Sequence, residues 1–263
     1  MVSQARARKG VEAVEREFVE FGRAEAKLVG SWTTPANVSD YPLVILATGD
    51  SPNGSNGQTW QQLVPRLAEK GLATFLFDFS GLGQSPGVYE ELTLSVGCRN
   101  FEDVMDYVKE SGSHNKDRVG VIGSSYGGNV ALLKAADYPE IKALGLKSAS
   151  TFLPEGYQLQ YGAELMEVWG REGYSAEVGL KYTAVMDSLF HNTYAAAARI
   201  QARVRLVHGT ADSAVPIRHA RDLLRVLPKG SMLEIDGADH WYANGDEWER
   251  MAIDIVDFMA ENL

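Results

Sequence analysis

Short, unbroken apolar runs alternate along this chain with segments whose apolar residues recur every three to four positions. Leu43-Val-Ile-Leu-Ala47, Ala73-Thr-Phe-Leu-Phe77, the run from Arg118 to Ile122, and the stretches 142–147, 204–207 and 232–235 carry almost no polar alternation. Runs of that length and composition predict strands covered on both faces. Between them the spacing predicts helices up to Lys70 (through Pro65), over 100–110, from the turn at Gly127 to Ala136, over 216–227, and from Asp246 onward. Strands alternating with helices imply right-handed crossovers, and therefore an α/β fold with a mostly parallel central sheet and helices on both faces. Ahead of this pattern, apolar and charged residues alternate from Val14 to Phe21, turn at Gly22-Arg23, and resume from Ala26 to Trp32. That alternation predicts a half-buried antiparallel hairpin. Residues up to Gly10 read as a polar extension, and 35–42 as a loop.

One segment breaks the rhythm. Between Ser148 and Asn192 no clean strand can be drawn, yet Tyr157, Tyr161, Trp169, Tyr174, Tyr182 and Phe190 alternate with Leu and Met at near-helical spacing. A structureless loop of that length does not suit a compact domain. The expectation is a small helical cap over 150–192, laid across the sheet edge, with 1–149 and 193–263 forming the core. The competing reading is ordinary helix packing on the flank.

Composition narrows the classes of function. Hydrophobic residues make up 45% and charged residues 23% of the 263, the usual balance of a globular domain. A net charge of -10 argues against nucleic acid or an anionic membrane as partner. The single cysteine, Cys98, excludes an internal disulfide, suits a reducing compartment and lies where helix packing is expected. No apolar run approaches a membrane span, and no apolar stretch follows Arg6, Arg8 and Lys9, so a cytoplasmic location is expected. A homodimer stays open.

The candidate chemistry gathers at Gly123-Ser-Ser-Tyr-Gly-Gly128, between a buried run and a helical one. A sharp strand-to-helix turn strains its apex and leaves no room for bulk two residues to either side, so Ser125, flanked by Gly123 and Gly127, is the expected nucleophile. A serine hydroxyl needs a base, and the base an orienting acid. Of five histidines, His240 follows the last strand, where ligands of open parallel sheets bind. His208 ends a strand and is expected to order its loop, whereas His114, His191 and His219 lie on polar segments and are expected at the surface. Asp212, beyond the penultimate strand, is the expected acid; Asp236 and Asp239 are too near His240 in sequence to reach its far ring nitrogen.

Gly123–Gly128, Asp78-Phe-Ser-Gly-Leu-Gly-Gln-Ser85, His208-Gly-Thr-Ala-Asp-Ser-Ala-Val-Pro216 and Gly237-Ala-Asp-His240 together resemble the α/β-hydrolase superfamily. The likeness is strongest to compact carboxylesterases of the serine aminopeptidase-like and cinnamoyl/feruloyl esterase kind. It implies a triad of Ser125, Asp212 and His240, no cofactor and no metal, with Asp78 shaping a turn. An oxyanion hole would take one donor from the Tyr126 N–H and another from the loop at Thr48-Gly49-Asp50, where relatives commonly carry His-Gly. Asp50 departs from that pattern and sets a carboxyl near a developing negative charge. The substrate expected is a small ester, met by Gly49, Tyr157, Tyr161, Trp169 and Trp241. Thioesterase, amidase, peptidase, acyl-transfer or carbon–carbon bond hydrolase chemistry stays open on the same triad, as does a non-catalytic ligand receptor.

Overall fold

A computed structural model describes residues 16–35, 40–111 and 114–263. The polar extension, the Val14 start of the hairpin and residues 36–39 of the expected loop lie outside them. In chain order the elements are β1 (Arg16–Arg23), β2 (Ala26–Thr33), β3 (Tyr41–Ala47), α1 (Gln58–Glu69), β4 (Ala73–Phe77), α2 (Leu94–Glu110), β5 (His114–Ser124) and α3 (Ser125–Lys134). Then come β6 (Ile141–Lys147), α4 (Leu153–Glu172), β7 (Tyr174–Ser175), β8 (Leu180–Lys181), α5 (Thr183–Ser188), α6 (Thr193–Ala197), β9 (Arg203–Gly209), α7 (Ile217–Val226), β10 (Gly230–Ile235) and α8 (Glu247–Asn262). Among the described residues no helix is long and apolar enough to cross a membrane.

Eight strands form one sheet in the order β1-β2-β4-β3-β5-β6-β9-β10. The β1–β2 and β2–β4 pairs are antiparallel and the other five are parallel. The unbroken apolar runs follow from the two cores this sheet divides. Leu43, Ile45 and Ala47 of β3 join the core shared with α2, α3 and α7, while Val44 and Leu46 join the one shared with α1 and α8. Successive side chains point to opposite faces, so a strand covered twice has no place for polar alternation. Helix α3 obeys the same logic: seven consecutive residues from Tyr126 to Leu132 are buried, so it shows no polar stripe.

Two expectations are corrected. Helix α2 begins at Leu94, a turn and a half before the expected start. Thr93 caps it by accepting a hydrogen bond from the Val96 N–H (3.2 Å). Gly97, a poor helix former, masks that start in sequence; it is there because a Cβ would strike the Tyr126 hydroxyl and Val130. The surface placement of three histidines also fails. His114 and His219 are buried, and His191 is largely covered. His114 stacks on Trp32 with ring centres 6.1 Å apart, and burial lowers its pKa.

The 150–192 segment holds α4, broken at Gly162 (φ 80°), the short β7–β8 hairpin and α5. Its own centre is Trp169, which is 0% exposed, donates from Nε1 to the Leu180 carbonyl (2.8 Å), and meets Tyr157 and Tyr182 edge-on at 5.3 and 5.4 Å.

Candidate active site

Ser125 sits at the first position of α3 with φ +50°, a left-handed conformation that few side chains adopt. The surrounding glycines are required by contact. A Cβ on Gly123 would lie 2.7 Å from Gly128 Cα, one on Gly127 would collide with the carbonyls of Ala47 and Thr48, and one on Gly128 would lie 2.7 Å from Ala149 Cβ. The turn thus lets α3 rest against the ends of β3 and β6 and holds Ser125 half-buried above the sheet. As the first residues of α3, Ser125 and Tyr126 have backbone N–H groups with no intrahelical partner. Tyr126 is itself fastened beneath, its hydroxyl donating to the Thr93 carbonyl (2.7 Å).

The histidine and the acid come from the ends of β10 and β9. His240 Nδ1 lies 2.7 Å from Asp212 Oδ2. A carboxylate accepts, so Nδ1 carries the proton and Nε2 is left free for the cavity. The other Asp212 oxygen accepts from the Ala214 and Val215 N–H groups at 3.0 and 2.7 Å. Burial alone would raise the Asp212 pKa, but the hydrogen bonds from His208, His240 and Val215, with the charge of His240, hold it well below the usual carboxylate range. His208 orders this loop: its Nε2 donates to the Val215 carbonyl (2.8 Å) and lies 3.3 Å from Asp212 Oδ2. Asp236 and Asp239 serve elsewhere, accepting from Thr210 Oγ1 (3.1 Å) and from the Trp241 and Ala243 N–H groups (2.9 and 3.2 Å).

Ser125 and His240 open onto one cavity of about 720 Å³, with no hydrogen bond joining them. Gly49, Asp50, Ser150, Leu153, Gly156, Tyr157, His219, Trp60, Trp241 and Trp248 share its wall. Gly49 passes so close to the elbow that a Cβ would be 3.6 Å from both Ser124 O and Ser125 Cβ. Asp50 does not cap α1, whose N-cap is Gly57. Its carboxyl remains on the cavity wall, where burial raises its pKa against the opposing pull of His240 and of its own backbone N–H. Asp78 ties its own turn to the loop before α1, accepting from the Ser55 N–H (2.5 Å) and Oγ (2.9 Å) and from the Gln84 N–H (3.0 Å).

Of the aromatics expected at the substrate, Tyr157 and the 60% exposed Trp241 reach this cavity. Trp169 and Tyr161 do not. Trp169 is the core of its own segment, and Tyr161 packs behind Tyr157 with ring centres 6.4 Å apart. Two wall residues had no sequence signal. His219 accepts from the Thr151 N–H at Nδ1 (3.4 Å) and donates from Nε2 to Glu155 Oε2 (2.8 Å), pinning α7 to the first turn of α4. Burial, with the nearby charges of His208 and Arg218, lowers its pKa to about 4. Lys147 ends β6 as a buried ammonium in a strand otherwise read as apolar.

The fold and this site define a serine hydrolase of the α/β-hydrolase superfamily, as the four motifs imply. The chain belongs to the prolyl oligopeptidase family, whose profile matches residues 59–263. It is 26% identical over 247 residues to the uncharacterized protein YfhR of Salmonella typhimurium, covering 88% of this chain and 76% of that protein. It is 26% identical over 156 residues to the human mitochondrial palmitoyl-protein thioesterase ABHD10, covering 56% and 49% respectively. Among solved structures, Est1E from Butyrivibrio proteoclasticus with bound ferulic acid superposes with a TM-score of 0.81 at 25% identity, covering 93% of this chain and 98% of Est1E.

Proposed function

We propose that this chain hydrolyses a small carboxylic ester through an acyl-enzyme. Ser125 attacks the carbonyl, His240 accepts the proton at Nε2 and returns it to the leaving alcohol, and Asp212 fixes the imidazole; water then releases the acid by the same route. The observation that carries this reading is the His240 Nδ1–Asp212 bond, which leaves Nε2 as the free nitrogen on the cavity that Ser125 also lines. Bonds between catalytic groups tighten when substrate binds, so the open Ser125–His240 pair is consistent with it. The Tyr126 and Asp50 N–H groups serve as oxyanion donors, each worth about 3 kcal/mol of barrier. Burial raises the Asp50 pKa and so weakens the opposition its carboxyl offers to the developing charge. Residues 150–192 act as a cap over the core, and the first turns of α4 form part of the wall near the acyl or alcohol group.

The superposition on Est1E with bound ferulic acid supports an aromatic ester. Membership of the prolyl oligopeptidase family favours a second reading, cleavage of a peptide bond. Labelling with a fluorophosphonate tests the nucleophile: the wild type should label and Ser125→Ala should not. Turnover of graded p-nitrophenyl esters, methyl ferulate, an acyl thioester and a peptide p-nitroanilide then separates the substrate classes. Faster turnover of the anilide than of every ester would replace the esterase reading.

A further inference from the structure

Lys147 occupies a place that the reaction above leaves unexplained. It is hydrogen-bonded in register beside Ser124 on one side and Val207 on the other, so it stands in the sheet between the serine elbow and the strand that delivers Asp212. Its side chain is buried, and Nζ donates to the main-chain carbonyl of His240 at 3.0 Å. The same ammonium lies 4.8 Å over the ring of Tyr242. Tyr242 is itself held in an unusual conformation (φ +57°), its hydroxyl donating to the Val207 carbonyl and paired with Ser148 Oγ, both at 3.0 Å. The histidine loop is therefore clamped at two points by one cation.

We propose that Lys147 is a positioning residue for this hydrolysis: by binding the His240 carbonyl and the Tyr242 ring, its ammonium holds the imidazole on the cavity it shares with Ser125, from which the pair closes when substrate binds. The inference rests on the assignment of His240 as the base. A buried cation is costly to retain, and an apolar residue would fill the same volume without that penalty. The groups facing Lys147 are Asp212 from the loop after β9, and Asp239, His240 and Tyr242 from the loop after β10. Burial lowers its pKa to about 8 against the pull of Asp212 and Asp239. Deprotonation converts a charge-assisted bond into an ordinary one and removes the attraction to the ring.

Two signs then oppose each other. An unfolded lysine titrates at ~10.4, so above about pH 8 the unfolded chain binds more protons and the cost that burying Lys147 sets against folding falls as pH rises. Activity should move the other way, falling over the same range as the clamp slackens.

The test measures kcat, KM and Tm from pH 6 to 10 on a p-nitrophenyl ester, with fluorophosphonate labelling as control, for wild type, Lys147→Met and Lys147→Gln. Lys147→Met should lower kcat roughly 10- to 100-fold with KM little changed, as loss of a charged hydrogen bond predicts. Lys147→Gln, which keeps a donor, should recover most of kcat and lose the decline above pH 8. Relative to Lys147→Met, the wild type should gain Tm between pH 8 and 10. Wild-type kcat in Lys147→Met, or a wild-type profile flat to pH 10, overturns the proposal. If neither variant folds, the opposed trends of kcat and Tm in the wild type decide it. Failure of the wild type to label at Ser125 sinks the triad reading instead.

Discussion

Among the described residues, two clusters of serine, histidine and aspartate can be set side by side for comparison, and their difference shows what such a set must have to do chemistry. In one, Asp212 binds His240 at Nδ1 and leaves Nε2 free. In the other, between α2 and the end of α5, Ser95 Oγ lies 3.1 Å and Asp187 Oδ2 3.4 Å from the same nitrogen, His191 Nε2. A proton can be relayed only when acid and nucleophile address opposite ring nitrogens, so the second set cannot work as a triad. Asp187 Oδ2 also accepts from the Ser95 N–H (2.9 Å), a negative group at the N-terminus of a 17-residue helix. That is a helix-capping role. The serines differ as well: Ser125 is strained onto a left-handed turn above a cavity, whereas Ser95 lies in ordinary helix.

The sharpest way to break this comparison is to remove each serine in turn. Ser125→Ala should cost roughly 10⁵- to 10⁶-fold in kcat, the scale seen when a nucleophile is lost, while Ser95→Ala stays within a few-fold. Substantial loss at Ser95 would make the second cluster functional and the argument from ring nitrogens wrong. The acids come next. Asp212→Asn should lower kcat by roughly 10⁴-fold through loss of tautomer control. Asp187→Asn should leave kcat alone and, as loss of a cap worth ~1 kcal/mol, lower Tm by about 2–4 °C. Thermal melts and steady-state rates on both variants separate the two roles.

The smallest effect on turnover is expected from the aromatics of the 150–192 segment. Trp169→Ala should destabilise by about 3–5 kcal/mol, the usual cost of a large buried ring, and leave the acyl preference of surviving enzyme unchanged. Tyr157→Ala, on the cavity wall, should instead raise KM for aromatic over acetyl esters. Identical substrate profiles in the two variants would take Tyr157 out of the binding site.

Much of this was legible in the chain. The strand runs around Leu43–Ala47, Ala73–Phe77 and Ile141–Lys147 announce a sheet covered on both faces because burial on two sides removes polar alternation. The elbow was legible because its geometry admits only small residues at Gly123, Gly127 and Gly128, so a steric demand is written as residue type. Position along the chain, at the ends of successive strands, picked out Asp212 and His240, since a parallel sheet brings those ends together.

What only the tertiary structure decided is which polar groups are buried and what they touch. His219 and His114 sit on segments that read as polar, yet Glu155 of α4 closes over one, and Trp32 of β2, backed by Tyr107 of α2, stacks on the other. Trp169 and Tyr157 are alike in sequence context, and only the packing of α4 on β8 and α5 turns one into core and the other toward the cavity. Lys147 reads as the polar end of a strand; its role appears once the loop after β10 folds over it and offers the His240 carbonyl 3.0 Å away. Periodicity records how often a side chain is covered. It carries no record of which distant residue does the covering, and for a charge or a ring nitrogen that neighbour determines the chemistry.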